Sequence, residues 1–375
     1  MGYSAAFRET TPIDISWNEL TGAIGDSVTV LPIVVGVALL TELSLSMMLI
    51  WFGAFQILWG LYFGVPISVE PMKALAALVL AGTITTGELL VAGLLLGGVL
   101  LLVGSTETLD RIAAYIGAPV VRGVQLGVAL VLFETGLGLG LADVQLAALA
   151  TVLAVGLIAI GYWNVSAFAV LLLGGAVAVA QTGVPTPTVP SGGIAPVGFA
   201  DLSFAAGEAT IAQLAMTLGN AALATSLLLS DYFDRSISAD ELSKSMGVMN
   251  LASVPFGAFP MCHGSGGVAG KYAFGARTAG ANVILGVGYV LVAIFAVGIV
   301  AAYPLSMLGI VLAIVALQLG RTSLERASQY PLVVAIGVVG VLLNLGIAFV
   351  GGVIAYLLLD RIRTVRSGGS DRLVN

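Results

Sequence analysis

The chain has 375 residues, of which 59% are hydrophobic and 9% charged, with a mean hydropathy of +1.08. Soluble globular proteins carry about 25% charged residues, so nearly all of this chain must lie in lipid, and the lack of a basic patch excludes nucleic-acid binding. One Cys excludes an internal disulfide and a cysteine-based metal cluster, while the net charge of −6 says little about substrate.

In chain order, apolar runs long enough to span a bilayer are predicted near 20–41, 43–63, 66–82, 86–104, 119–138, 144–162 and 164–181. The first ~20 residues lack the basic start and apolar core of a cleaved signal. A polar Pro/Gly-rich stretch, Thr182 to Asp201, follows the seventh run. Further spans are predicted near 205–229, 240–258, 262–277, 280–302, 304–319, 331–347 and 348–361. The run at 240–258 is barely hydrophobic, and 331–361 also reads as one long helix.

The two halves resemble each other. Thr21-Gly-Ala-Ile-Gly-Asp26 lines up with Ala215-Met-Thr-Leu-Gly-Asn220. The third run of each half is broken, at Phe63-Gly-Val-Pro-Ile-Ser-Val-Glu-Pro-Met-Lys73 and at Phe259-Pro-Met-Cys-His-Gly-Ser-Gly-Gly-Val-Ala-Gly-Lys271. An odd number of spans per half makes the repeats inverted, and paired interruptions point to a transporter's binding site.

The basic tail Arg361, Arg363, Arg366 and Arg372 names the side of both termini as cytoplasmic. Arg8, Arg111, Arg122, Arg235, Lys244, Lys271, Arg277, Arg321 and Arg326 then fall at or near the same face. The opposite loops carry Glu42, Glu88, Asp143, Asp201 and Glu208 without Lys or Arg. The exception is Lys73, inside the third segment.

Ionisable residues within the bilayer are functional candidates by default, and four qualify: Asp26, Glu70, Lys73 and Glu134. Glu70 and Lys73 share a helical face. They form either a mutually neutralising pair or a site in which Lys73 attracts an anion while Glu70 titrates. Burial and a bound dianion both favour a protonated carboxylate, so Glu70 is expected to take up a proton with substrate. Each broken segment places a helix start near mid-membrane, carrying about half a positive charge and unpaired N–H groups. Gly264, Gly266 and Gly267 let that backbone come close, and Ser68 and Ser265 can donate hydroxyl hydrogen bonds. Those glycines also fit plain helix packing. Gln213, Thr217 and Asn220 form one polar stripe, which reads as interhelical glue or as substrate contact. Asp26, the counterpart of Asn220, is expected to face the same cavity. Glu134 falls in the scaffold, where a structural pairing is expected. Gly264-Ser-Gly-Gly-Val-Ala269 lacks the βαβ context of a dinucleotide loop, and His263 alone makes no metal site. No cofactor, metal or enzymatic activity is expected.

At these residues the chain resembles the molybdate transporter family, which is related to the sulfate permeases. The resemblance is carried by Gly22-Ala-Ile-Gly-Asp26, by Val65-Pro-Ile-Ser-Val-Glu-Pro-Met-Lys-Ala74, and by the run from Pro260 through His263-Gly-Ser-Gly-Gly267 to Arg277. Pro119-Val-Val-Arg-Gly-Val-Gln-Leu-Gly127, Gln213 to Asn220 and Met249-Asn-Leu add to it. The family pattern has Gln where this chain has Glu70. The resemblance implies an all-α integral membrane protein of about 14 segments in a seven-plus-seven inverted repeat, of the kind shared with nucleobase transporters. The repeats would be 1–183 and 203–375, joined by an extracellular linker, 184–202. A core (20–104 with 205–302) would move against a gate (119–181 with 304–361).

Substrate would bind between the starts of the third and tenth segments, with Ser68, Glu70, Lys73, Gln213, Thr217, Asn220, His263, Gly264, Ser265, Gly266 and Gly267 as binding residues. Glu70 and Asp26 would couple protons. The expected function is secondary active import of molybdate, and of tungstate, across the cell membrane. The expected partners are the oxyanion, membrane lipid and a candidate second copy of the chain. A sulfate or other small-anion transporter, or a passive anion channel, stays open as an alternative.

Overall fold

The computed structural model describes residues 13–109, 115–188, 190, 193–195, 197–295, 297–300 and 302–370. Arg8, Arg111 and Arg372 lie outside them, as do the side chains of Arg363 and Arg366. A described helix lies at every predicted span. In the first half these are α1 (Trp17–Leu40), α2 (Leu45–Phe63), α3 (Lys73–Leu80), α4 (Thr86–Thr106), α5 (Ala118–Gly140), α6 (Val144–Ala159) and α7 (Ser166–Thr182). The second half holds α8 (Phe204–Phe233), α9 (Ala239–Ser253), α10 (Ser265–Ala273), α11 (Gly280–Phe295), α12 (Leu305–Glu325), α13 (Tyr330–Leu342) and α14 (Leu345–Ser370). Among the described residues, eight helices are long and apolar enough to cross a membrane, and α6, α11 and α13 are shorter apolar helices.

The weakly hydrophobic α9 forms because a capping box, Ser238 with Glu241, satisfies its first amides. The run at 331–361 breaks into two helices at Asn344. The Asn344 Oδ1 accepts from Ile347 N at 2.7 Å, and its Nδ2 donates to Glu208 Oε1 on α8 at 2.6 Å.

Packing follows the repeat. α2 packs on α11 and α4 on α9, contacts that exchange if each helix corresponds to the one seven places later. α5 and α12, equivalent under that relation, run along each other. Gly136 and Gly309 let them touch, since a Cβ on either would meet the other's carbonyl oxygen.

The breaks before α3 and α10 are the feature that positions the site. Pro66, Pro71 and Pro260 hold the preceding chain extended. The two extended runs meet as β1 (Glu70–Pro71) and β2 (Met261–Cys262), antiparallel, with Glu70 opposite Cys262. Unpaired backbone groups inside a bilayer cost several kcal/mol each. Here Asn250 on α9 accepts from Met261 N at 2.8 Å and donates to Met261 O at 2.7 Å, while Met72 N donates to Pro260 O at 3.0 Å.

Candidate substrate-binding site

Both helix openings face inward, and both are occupied by side chains. At the start of α3, Gln213 Oε1 accepts from Ala74 N at 2.9 Å and from Leu75 N at 3.4 Å. Gln213 Nε2 in turn donates to Thr217 Oγ1 at 2.9 Å. Gln213 is thus a neutral cap, reaching across from the other half.

At the start of α10 the occupant is charged. Gly267 N donates to Glu70 Oε1 at 2.6 Å, and Glu70 Oε2 is ion-paired with the Lys73 ammonium. Glu70 is 1% exposed, whereas the Lys73 side chain keeps 15% and so reaches open space. A Cβ on Gly264 would overlap the Glu70 carboxylate, and one on Gly267 would overlap Ser68 Oγ, Asp26 Oδ1 and Glu70 Oε1. Close approach therefore requires both glycines. Gly267→Ala is expected to cost about 1–3 kcal/mol, read as a lower melting temperature in detergent; an unchanged melt would show that the neighbours yield freely.

Behind this pair lies a second. Lys271 Nζ meets Asp26 Oδ2 at 3.1 Å, Gln56 Oε1 at 2.9 Å, Ile67 O at 2.5 Å and Asn282 Oδ1 at 3.1 Å, all fully buried. Asp26 also accepts from Ser68 Oγ at 2.6 Å and from Gln56 Nε2 at 2.9 Å. His263 is buried between Ser245 Oγ, 2.7 Å from Nε2, and Ser68 O, 2.9 Å from Nδ1. An Nδ1–H tautomer donating to the Ser68 carbonyl satisfies both contacts without a charge. His263 thereby ties β2 to the run before α3.

A cavity of about 500 Å³ leads to the outer edge of this cluster. Its inner end is lined by Lys73, Asn220, Ser265 and Gly266, and its mouth by Arg321 on α12 and by Arg326 just beyond that helix. Ser265 Oγ donates to Asn220 Oδ1 at 2.8 Å. Asn220 sits in a π-helical stretch of α8, Thr217–Ala224. Wide turns of this kind mark functional sites, and this one aims Asn220 at α10 while Gln213 serves α3.

Several expectations change. Lys271, counted at the cytoplasmic face, is buried in the core. Its burial was readable: six residues beyond Ser265 at 1.5 Å each is about 9 Å, less than the ~15 Å from mid-membrane to the edge of the hydrocarbon. Lys73 is therefore not the sole intramembrane base. Asp26 is sealed against Lys271 and does not line the cavity. Glu134 is exposed on α5 instead of buried in a pair. Gln213, Thr217, Asn220, Ser68, Glu70, Lys73, His263 and the glycines at 264, 266 and 267 do come together. Gln56, Asn282 and Ser245 carried no signal, being isolated amides and a hydroxyl in apolar or mixed helices, and Asn250 entered only through the Met249-Asn-Leu resemblance.

An inverted repeat whose two interrupted helices meet around buried charges, reached from one side by a cavity, is the architecture of a membrane transporter. A family profile described as "Molybdate transporter of MFS superfamily" matches residues 18–132 and 205–319, one stretch in each half. Molybdate transporter 2 of Arabidopsis thaliana is 30% identical over 93% of this chain and 88% of its own length, and molybdate transporter 1 of that plant is 28% identical over 91% and 88%. The chain belongs to the molybdate transporter family, and it is a multi-pass membrane transporter. Its fold is shared with the transmembrane domain of a cyanobacterial bicarbonate transporter, BicA (TM-score 0.64, 18% identity, 89% of this chain and 97% of that one). It is shared also with murine solute carrier 26 family member A9, an anion transporter solved in the inward-facing state (TM-score 0.65, 14% identity, 94% and 69%).

Proposed function

We propose that the chain imports molybdate, and accepts tungstate, across the cell membrane by alternating access coupled to proton uptake. The observation that carries this reading is the inner end of the cavity. There Lys73, Ser265, Gly266 and Asn220 offer an ammonium group, a hydroxyl, helix-start backbone and an amide to a small oxyanion. The cavity lies between α1, α3, α8 and α10 on one side and α5 and α12 on the other. That division fits a core of α1–α4 with α8–α11 moving against a gate of α5–α7 with α12–α14. Arg321 and Arg326 at the cavity mouth fit a cytoplasmic opening, with both termini on the same side. Val152, Val155, Ile354 and Leu358, all exposed and apolar, would face lipid. Glu70 would carry the coupled proton, with Asp26 setting the charge behind it.

The test is uptake of labelled molybdate into proteoliposomes with an imposed proton gradient. The expected result is accumulation above the external concentration, competed by excess tungstate but not by equal sulfate. Equal competition by sulfate would give the substrate role to sulfate, and flux that only equilibrates would mean a channel.

A further inference from the structure

The anion-attracting groups of this site already hold an anion, and it belongs to the chain. We propose that Glu70 is a tethered competitor for the substrate. Its carboxylate occupies the start of α10 and the Lys73 ammonium, and an oxyanion binds there fully only once that carboxylate is protonated or displaced. The proposal rests on the oxyanion-transport reading above and adds what sets the affinity of the site.

The geometry is that of a bound ligand. One carboxylate oxygen takes the Gly267 amide at 2.6 Å and the other takes Lys73. Two oxygens of a carboxylate present the same pair of acceptors as one edge of a tetrahedral oxyanion. The seat is shaped for the carboxylate, since a Cβ at Gly264 or Gly267 would fall on it. The same ammonium, with Ser265 and Gly266 beside it, forms the inner end of the cavity. A ligand arriving there meets Lys73 already neutralised.

The surrounding charges leave Glu70 few other places to be satisfied. Asp26 on α1 is bound by Lys271 of α10, so that ammonium is spent. Just past β2, His263 is held between Ser245 and the Ser68 carbonyl, and Cys262 stands across the ladder. Apart from Gly267 N and Lys73, the one further bond to the carboxylate among the described residues is from Ser68 Oγ, at 3.5 Å, whose closer partner is Asp26 at 2.6 Å. The two carboxylates and two ammonium groups cancel. A dianion entering beside them brings two uncompensated negative charges, and protonating Glu70 removes one of them and frees Lys73. Substrate and proton therefore bind together because they compete with, or discharge, the same carboxylate. When only a fraction of molecules has the seat vacant, apparent affinity falls by that fraction.

The experiment is isothermal titration of the purified full chain in detergent with molybdate and, separately, sulfate, at neutral and mildly acidic pH. Wild type, Glu70→Gln and Glu70→Ala are compared, each first checked by thermal melting. The Ala variant covers the case in which a Gln amide oxygen keeps the Gly267 contact. The expected result is binding at least about tenfold tighter in one or both variants at neutral pH, a gain of about 1.4 kcal/mol. Variant affinity should be nearly flat with pH, whereas wild type tightens on acidification. Unchanged or weaker binding in both folded variants overturns the proposal, because Glu70 would then be a ligand or a scaffold group. Tightening seen with sulfate but not molybdate keeps the tethered competitor and removes molybdate as substrate. No heat from either oxyanion with any folded protein overturns both readings.

Discussion

Lys271→Ala is expected to destabilise the folded protein by about 3–5 kcal/mol, the cost of leaving a buried charge without its partner. Lys271 supplies donors to four oxygens on four other parts of the chain: Asp26, Gln56, Ile67 and Asn282. Among the described residues, its removal leaves Asp26 with Ser68 and Gln56 as its hydrogen-bond donors, and the Ile67 carbonyl with Asn282. An apolar replacement of full length, Lys271→Met, fills the volume but does not discharge Asp26, so it should help little. Lys271→Met combined with Asp26→Asn removes both charges and should recover much of the loss, giving a favourable coupling energy in a double-mutant cycle. Melting in detergent reads all four proteins. Strictly additive losses would show that the two groups do not depend on each other.

Lys73→Ala is expected to abolish oxyanion uptake, a loss of at least about 100-fold, or roughly 2.7 kcal/mol of binding. The single change also strands Glu70, which is 1% exposed, and so confounds folding with function. The cleaner comparison starts from Glu70→Gln, where the site holds no competing carboxylate, and adds Lys73→Ala. Both proteins keep the buried charges balanced or nearly so, with Asp26 and Lys271 untouched. Loss of molybdate binding on adding Lys73→Ala, with little change in melting temperature, assigns Lys73 to the anion. Retained binding would move the site to the arginines at the mouth.

The break of the third run in each half was readable because Pro66, Pro71 and Pro260 deny helix and the glycines from 264 to 270 invite close approach. Glu70 and Lys73 stood out as charges three residues apart in an apolar segment. What was hidden is contact across the two halves. No period in α2 reveals that Gln56 meets Lys271 of α10, or that Gln213 of α8 caps α3. The stripe Gln213, Thr217, Asn220 assumed 3.6 residues per turn, and the π stretch from Thr217 alters which way its last member points. Lys271 was misplaced because charge counting treats every lysine near a predicted helix end as a loop residue. A helix that starts in mid-membrane and lasts nine residues never reaches the loop.

The most direct measurement is a diffraction structure of the protein with tungstate, whose metal atom locates itself by anomalous scattering. A single strong peak is expected at the inner end of the cavity, within reach of Lys73 Nζ and Ser265 Oγ, with the Glu70 carboxylate displaced from Gly267 N. A peak confined to Arg321 and Arg326, with Glu70 still seated on α10, would contradict it.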